Sequence, residues 1–430
     1  MKDPMIVRPV LWLLLSICSA GGMAFYVTEI WGANQPPYFT DFYAPWWGSH
    51  EMLIHRRNPY SPAVAHEIQT VIYGAQITSS SPNDPSNIAG GFAYPPYVAL
   101  LLWPTLYLSF SVAQKVFLCV SVLVTLIAFA LWLRALRLRL STLSTLTLAF
   151  FVLGSFPVLQ GIKLQNLSMI AAALLAATMF LLAADKLMLA GIFLAASTFK
   201  PQFTIALVPW LALWTLGDWR RRRALAGSFL TTMMLLALCS EYLAPGWISR
   251  FVSVIQAYRQ YTYGHSLFDV WFTRPWGQVV GACLLLAVLA FSWRRRRVPA
   301  ESERFFLITS FVLAATVVVI PTLAPHAQLL LIPGVLCLFW RRALLLSSGL
   351  PVRLVLVATW VLLGWPWVAA FFLSFATLWY PALRLLRFWQ VPLYTSPLLP
   401  LAVMTALGCL LRTGYRAGDA DSVELANDSV

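Results

Sequence analysis

The chain has 430 residues, of which 60% are hydrophobic and 11% charged, and its formal net charge is +14. Soluble domains carry about 25% charged residues, whereas here uncharged stretches such as 116–133 approach the roughly 20 residues that cross a bilayer as a helix. A soluble fold is therefore excluded, and continuous apolar runs in place of alternating strands exclude a transmembrane barrel. We predict an all-α polytopic membrane protein. Because membrane topology accounts for the positive charge, we expect no nucleic-acid partner.

Four basic clusters determine the predicted orientation. They lie at 134–139, 220–223, 294–297 and 341–342, and placing all four in the cytoplasm follows the bias of lysine and arginine toward that side. The arrangement predicts about 12 transmembrane helices with both termini inside. All five histidines then lie in outer loops or at outer ends of spans. Titratable chemistry is therefore expected on the extracytoplasmic face.

The first outer loop, residues 28–96, contains two predicted interfacial helices. Residues 44–57 mix tryptophan and aliphatic side chains with charged ones, which predicts an amphipathic helix lying on the membrane surface. Ser61 followed by Pro62 predicts the start of a second helix, because serine caps helices and proline suits the first turn. We expect this second helix to end near Tyr73.

Residues 97–112 do not fit a simple transmembrane span. The segment is apolar but contains Pro104, and counting it as a crossing would move the basic cluster at 134–139 to the outside. We therefore predict a re-entrant or interfacial segment. Residues 1–417 are predicted to form a single membrane domain, followed by an acidic, disordered cytoplasmic tail at 418–430.

Asp41 follows the first predicted span and stands beside aromatic residues. Residue type alone favours a solvated loop acid or a helix cap. The functional alternative is a catalytic base in a cavity at the membrane surface. Burial there raises the pKa of a carboxylate and allows it to accept a proton from a hydroxyl group.

Other polar residues stand at the outer ends of further predicted spans. Gln165 and Asn166 occupy one outer turn, where such side chains either satisfy backbone groups or bind a polyhydroxyl substrate. Lys200 breaks the cytoplasmic bias of basic residues, so it either snorkels to the interface or binds an anion such as a lipid phosphate. His326 and His265 are each compatible with a structural or a functional role.

These residues belong to short motifs whose order resembles that of the bacterial GT-C glycosyltransferases of family 87. The resemblance covers about residues 8–340 and departs from the family at Leu164, where a glycine is usual, and at Gly264-His265-Ser266-Leu267, where the usual pattern is Asn-Gln-Ser-Leu. Neither departure removes a charged catalytic group. The motifs are Asp41-Phe42, Asn58-Pro59-Tyr60, Tyr94-Pro95-Pro96, Gln165-Asn166, Leu189-Ala190-Gly191, Lys200-Pro201-Gln202, His265-Ser266-Leu267 and Pro325-His326.

The resemblance implies a GT-C type helical bundle in the bacterial cytoplasmic membrane, with its active site facing the periplasm or exterior. It implies a hexosyltransferase that moves a sugar, most commonly mannose, from a polyprenyl phosphate to a hydroxyl of a glycolipid or envelope glycan, with inversion. Because the leaving phosphate needs no general acid, one carboxylate suffices, and we expect neither a metal nor an organic cofactor. Asp41 would be the catalytic base. The implied substrate-binding residues are Lys200, His326, Gln165, Asn166, His265 and Tyr94.

Two functions of other classes remain open. A transporter or flippase of lipid-linked sugars would carry ionisable residues near the bilayer midplane and internal repeats. The sequence shows neither feature. A non-catalytic subunit of an envelope-assembly complex would tolerate loss of Asp41.

Overall fold

The computed structural model of the protein describes residues 4–33, 40–74, 90–261, 265–320, 324–388, 391 and 397–427. Helices make up 80% of the chain, and no strand occurs in these described ranges. The predicted all-α class is therefore confirmed.

The α-helices are numbered here in chain order, with the shorter 3₁₀ and π turns named where they matter. The first ten are α1 (Pro4–Phe25), α2 (Tyr43–Leu53), α3 (Pro62–Tyr73), α4 (Val98–Leu102), α5 (Phe110–Ala135), α6 (Thr142–Leu153), α7 (Phe156–Lys163), α8 (Ser168–Ala183), α9 (Leu187–Ser197) and α10 (Pro201–Thr204). The remainder are α11 (Leu207–Gly217), α12 (Trp219–Leu243), α13 (Trp247–Tyr261), α14 (Leu267–Phe272), α15 (Arg274–Trp293), α16 (Glu303–Val319), α17 (Ile332–Trp340), α18 (Arg342–Ser347), α19 (Leu350–Ala376), α20 (Ala382–Leu385) and α21 (Leu398–Asn427).

Five helices of the described chain are long and apolar enough to cross a membrane. They are Pro9–Trp31, which joins α1 to a π turn, and α5, α12, α15 and α19. The bent pair α6 and α7, with 58° between its halves, makes a sixth if it counts as one span. The multi-pass membrane architecture agrees with these lengths, but the predicted count of about 12 spans is not confirmed.

Several segments predicted to cross are shorter than a bilayer requires. Both α9 and α11 have 11 residues, which rise about 16 Å, while the hydrocarbon core is about 30 Å thick. These short apolar helices are partly covered by their neighbours: α9 packs against α8 and α12, and α11 packs against α12 and α15. Contact with protein in place of lipid lets short helices and irregular turns lie at membrane depth.

The alanine-rich α8 lies at the centre of this packing. Most of its residues are buried, including Ala171, Ala173 and Ala176. Small side chains allow helix backbones to approach closely, which is the main way that helices associate in membranes. Protein therefore encloses most of α8, including its first residue, Ser168.

The first outer loop departs in part from its prediction. α3 begins at Pro62 and ends at Tyr73, with Ser61 as its N-cap accepting from the amide of Val64, so this helix is confirmed. Of the helix predicted for 44–57, α2 covers the part up to Leu53, and protein encloses α2 on most sides. Its buried residues are Tyr43, Pro45, Trp46, Gly48, Ser49, Glu51 and Met52. The position of this helix on the membrane surface stays a prediction.

Residues 97–112 contain α4, the 3₁₀ turn Trp103–Thr105 and the first residues of α5. The five residues of α4 rise about 7.5 Å, about a quarter of the hydrocarbon core. At the other end of the chain, α21 runs to Asn427 and so covers most of 418–430, where the sequence predicts a disordered tail. The domain limit at residue 417 stays a prediction.

Candidate active site

Asp41 lies in the turn directly before α2 and is held against the turn that follows α7. Its backbone amide donates a hydrogen bond of 2.7 Å to the carbonyl of Leu164. The hydroxyl of Thr40 lies 3.0 Å from the same carbonyl and accepts from the amide of Phe42 at 3.1 Å. These contacts hold the base of the Asp41 side chain on α7 although the two segments are more than 100 residues apart in sequence.

The turn between α7 and α8 places Gln165 in a left-handed conformation, with φ at 53°. A non-glycine residue rarely adopts this conformation unless its surroundings hold it there, and such residues concentrate at functional sites. The Gln165 side-chain oxygen accepts from Thr40 at 3.1 Å, and its nitrogen donates to the carbonyl of Gln114 at 3.2 Å. Both ends of the amide are therefore occupied by protein.

Asn166 connects Asp41 to the start of α8. Its side-chain nitrogen donates to Oδ2 of Asp41 at 2.6 Å. Its side-chain oxygen accepts from the backbone amide of Ser168 at 2.9 Å, from the hydroxyl of Ser168 at 2.7 Å and from the ammonium of Lys200. The asparagine amide therefore lies between a carboxylate and a lysine that do not bond to each other.

Lys200 lies between α9 and α10 and points into the protein. Its side chain is only 4% exposed, which excludes the snorkelling interpretation. The ammonium donates to Oδ1 of Asn166 and to the hydroxyl of Ser168, and lies 5.4 Å from the ring centre of Phe203. A buried ammonium with polar partners on one side and a ring on the other is suited to bind an anion.

Burial shifts the pKa values of Asp41 and Lys200 toward neutrality. Burial raises the pKa of Asp41, although the hydrogen bond from Asn166 and the positive charge of Lys200 act in the opposite direction. Burial lowers the pKa of Lys200 to about 7, against the attraction of Asp41. A carboxylate and an ammonium shifted toward each other in this way are typical of sites that bind or move protons.

His326 lies beside this group, in the 3₁₀ turn Pro325–Leu331. A Cβ atom added to Gly161 would be 3.2 Å from the Cβ of His326, and the ring is within electrostatic range of Lys200. In the part of the chain that the structure describes, its buried Nδ1 has no hydrogen-bond partner. An imidazole nitrogen without a protein partner is available to a ligand.

Two tyrosines, Tyr94 and Tyr258, lie within electrostatic range of Asp41. Burial and the negative charge of Asp41 raise the pKa of Tyr94, and the same two causes raise the pKa of Tyr258 on α13. The ring of Tyr94 also lies 6.4 Å from that of Phe92, centre to centre. Aromatic rings near a carboxylate are common walls of carbohydrate sites, because sugar C–H faces pack on them.

His265 stands apart from the other predicted site residues. Within the described ranges it forms no hydrogen bond or ion pair with Asp41 or Lys200. The neighbouring Ser266 and Asp269 form a capping box at the start of α14, with bonds of 2.8 and 3.1 Å between their side chains and backbone amides. Part of the motif that contains His265 is therefore explained by helix capping.

Sequence reasoning missed three members of the site: Thr40, Ser168 and Tyr258. Thr40 precedes Asp41 directly, and Ser168 begins α8 two residues after Asn166, which is a frequent position for a residue bonded to an asparagine side chain. These local patterns offered a weak signal. Tyr258 offered none, because α13 lies in a loop for which no helix was predicted.

One of three comparisons with known proteins gave a match. The model of glycosyltransferase family 87 matches residues 92–322, more than half of the chain. The comparison with curated proteins and the comparison with solved structures gave no match. The matched region contains Asn166, Ser168 and Lys200, whereas Asp41 precedes it and His326 follows it. The chain belongs to glycosyltransferase family 87 and is a membrane glycosyltransferase.

Proposed function

We propose that the enzyme transfers a sugar from a polyprenyl-phosphate donor to a hydroxyl of a lipid-linked or envelope glycan, with mannose as the first candidate sugar. The observation that carries this proposal is the arrangement of Asp41 and Lys200 on either side of Asn166. Transfer from a glycosyl phosphate needs a base for the acceptor and a positive charge for the leaving phosphate. These two residues supply one each.

Asp41 is the proposed catalytic base. Asn166 donates a hydrogen bond to Oδ2 of Asp41, and no described residue donates a hydrogen bond to Oδ1 of Asp41. Oδ1 takes the proton of the acceptor hydroxyl while the acceptor oxygen forms a bond to the anomeric carbon. The bond between that carbon and the phosphate oxygen breaks, and its electron pair leaves with the phosphate. The acceptor attacks from the face opposite the phosphate, so the anomeric configuration is inverted.

Lys200 is the proposed phosphate ligand. An ammonium has three N–H donors, and Asn166 and Ser168 accept from two of them. The third is available to a phosphate oxygen, and the unpaired nitrogen of His326 lies nearby. Charge that develops on the leaving oxygen is stabilised most strongly in a buried site.

Gln165 and Asn166 act as positioning residues in this proposal, because their amides are engaged by Thr40, Gln114, Asp41 and Lys200. Tyr94 and Tyr258 line the acceptor side of Asp41. His265 is a predicted ligand for a more distant part of the substrate.

The extracytoplasmic location of the site is supported by the charge distribution. Basic clusters such as 220–223 and 294–297 occupy the opposite ends of the helices from Asp41 and Lys200 in the predicted topology. A lipid-linked donor suits this arrangement, because its prenyl chain can remain in the bilayer while the sugar phosphate enters the site. We propose the bacterial cytoplasmic membrane as the location.

The direct test uses purified protein with polyprenyl-phosphate mannose, glucose or galactose and a membrane lipid extract as the source of acceptor. The wild type is expected to form a glycosylated lipid with the inverted anomeric configuration. Asp41→Asn is expected to reduce the rate by roughly 10²–10⁴-fold. Asp185→Asn is the matched control, since Asp185 is exposed and its φ of 56° suits asparagine. Transfer by Asp41→Asn at the wild-type rate would show that the base assignment is wrong.

Reporter insertions test the orientation independently of activity. A reporter within residues 75–89 is expected to be on the outside, and a reporter joined after residue 223 on the inside. Cytoplasmic signal from the first insertion would overturn the extracytoplasmic location.

A further inference from the structure

We infer that the C-terminal end of α2 forms a second site, which binds a divalent transition-metal ion of the zinc class through His50, Glu51 and His55. One ligand atom from each residue lies within 4.8 Å of the other two. This is the one such set of histidine, cysteine and acidic side chains in the described ranges. The inference goes beyond the transferase reaction and replaces the expectation that the protein binds no metal.

The distances suit a zinc ion. Zinc binds imidazole nitrogen at about 2.0–2.1 Å and carboxylate oxygen at about 2.0–2.2 Å, so two tetrahedral ligands lie roughly 3.4 Å apart. Nδ1 of His50 is 3.4 Å from Oε1 of Glu51, and Nε2 of His55 is 4.0 Å from the same oxygen. The side chain of His55 is 52% exposed, so a small rotation of its ring closes the remaining gap.

Glu51 is prepared for this role by its second oxygen. Its side chain is 3% exposed, and Oε2 accepts a hydrogen bond of 2.5 Å from Arg57. Arg57 in turn donates to Glu67 at 2.7 Å, and Glu67 also accepts from the indole of Trp47 at 2.9 Å. These partners fix the carboxylate so that Oε1 faces the two histidines, which is how outer contacts commonly orient a metal ligand.

The charge of the cluster also favours a cation. Arg57 neutralises one of the two carboxylates, Glu51 and Glu67, so the group carries one net negative charge when the histidines are neutral. Imidazole ligands select zinc, copper or nickel over magnesium and calcium, which prefer oxygen ligands alone. The ligand set therefore indicates a transition metal and not an alkaline-earth ion.

The surrounding aromatic rings hold His50 in place. Its ring stacks on Trp46 and Trp47, with centres 5.6 and 5.3 Å apart. With three protein ligands, a tetrahedral ion keeps a fourth position for water or another ligand. α2 begins two residues after Asp41, so a bound ion would stiffen the helix that follows the proposed base.

The same contacts also fit a histidine–carboxylate pair without a metal, and metal titration separates the two cases. Full-length protein is treated with a chelator, dialysed and titrated with Zn²⁺ in competition with a chromophoric chelator, and with Co²⁺ followed by its visible absorption bands. The wild type is expected to bind one equivalent and to gain thermal stability with Zn²⁺. His55→Ala is expected to bind at least tenfold more weakly. It removes an exposed side chain and therefore leaves folding intact.

His66→Ala is the matched control, because His66 lies nearby in sequence, on α3, but outside the cluster of His50, Glu51 and His55. His66→Ala is expected to bind Zn²⁺ as the wild type does. His50→Gln is expected to bind Zn²⁺ at least tenfold more weakly, as His55→Ala does. No saturable binding by the wild type, or equal affinity in the wild type and His55→Ala, would overturn the proposal and leave an ion pair only. Because binding and not sugar transfer is measured, the result is independent of the proposed transferase function.

Discussion

Asn166 donates a hydrogen bond of 2.6 Å to Oδ2 of Asp41, and its other amide atom accepts from Lys200 and Ser168. An amide is the side-chain group that offers a donor to a carboxylate and an acceptor to an ammonium at the same time. An aspartate at this position would repel Asp41. An alkyl side chain would remove the hydrogen-bond donor to Asp41 and would leave Lys200 with Ser168 as its hydrogen-bond partner.

Replacing Asn166 with leucine is expected to slow transfer and to alter its pH dependence. Hydrogen bonds to charged groups contribute about 1.5–3 kcal/mol, which corresponds to a fall in kcat of roughly 10–150-fold. The hydrogen bond from Asn166 lowers the pKa of Asp41, so its loss raises that pKa further. Asp41 then stays protonated to a higher pH, and the acidic limb of the kcat profile moves upward.

Ser168→Ala is the control for that measurement. It removes one donor to Asn166 and one acceptor of Lys200, but leaves the bond between Asn166 and Asp41 in place. A smaller loss of rate with an unchanged acidic limb is expected. An acidic limb that is the same in Asn166→Leu as in the wild type would contradict the role of Asn166.

The lowered pKa of Lys200 predicts that the enzyme binds the donor more weakly at alkaline pH. Its pKa is lowered to about 7, so its positive charge is present below that pH and is lost as the pH rises through it. The profile of kcat/KM reports ionisation in the free enzyme. We therefore expect kcat/KM for the donor to fall above about pH 7 in the wild type. Lys200→Met should be low and flat across the same range.

Lys163→Met provides the comparison, since Lys163 is an exposed lysine at the end of α7. It should retain the wild-type alkaline limb. If Lys200→Met retained that limb as well, the group that titrates near neutrality would lie elsewhere.

Gly161→Ala is expected to displace His326. An added Cβ would lie 2.0 Å from the terminal carbon of Met169 and 3.2 Å from the Cβ of His326. The methionine side chain can move, but the contact with His326 is close to backbone. We expect KM for the donor to rise several-fold, with a smaller effect on kcat.

Gly227→Ala is the matched substitution, because nothing lies within 4 Å of its added Cβ. It should be neutral or slightly stabilising, since alanine favours helix over glycine. Steady-state kinetics of Gly161→Ala, Gly227→Ala and the double variant Gly161→Ala/Met169→Ala would separate the contact with Met169 from the contact with His326. If the double variant recovered the wild-type KM, displacement of His326 would not be the cause of the rise in KM in Gly161→Ala.

Arg222 is expected to stabilise the end of the bundle that carries the basic cluster at 220–223. Its guanidinium donates to the carbonyls of Trp214 at 2.6 Å and Arg296 at 2.8 Å, and stacks over the Trp214 ring at 3.8 Å. Arg222→Met leaves these carbonyls without a donor, at a cost of about 3 kcal/mol. We expect the thermal unfolding temperature of Arg222→Met, measured in detergent, to be lower than that of the wild type. Arg221→Met, at an exposed neighbour, should change it little.

The fold class was predictable because apolar length and the scarcity of charge exclude other classes. The number of spans was not, because hydropathy measures apolar length and not the partner that covers it. α9 and α11 are as apolar as true spans, yet protein surrounds much of their surface. The start of α3 was predictable because Ser61 caps the helix and Pro62 suits its first turn, and both effects depend on neighbouring residues alone.

The candidate site was predictable only in part. Asp41, Asn166 and Lys200 stood out because charged and amide residues are rare at outer helix ends in a chain this apolar. Serine and threonine occur throughout apolar helices, so Ser168 and Thr40 carried no comparable signal. Thr40 contacts the carbonyl of Leu164, which is 124 residues away in the sequence. The periodicity of apolar residues gives no information about contacts at such a separation.

The interposed asparagine has one more consequence. Opposite charges that touch form an ion pair, and each then cancels much of the field of the other. Here an uncharged group separates them, so while both groups are charged an electric field extends between ammonium and carboxylate through a poorly polarisable interior. A sugar phosphate placed along that field would have its ester bond polarised on arrival, before any atom of the protein moved.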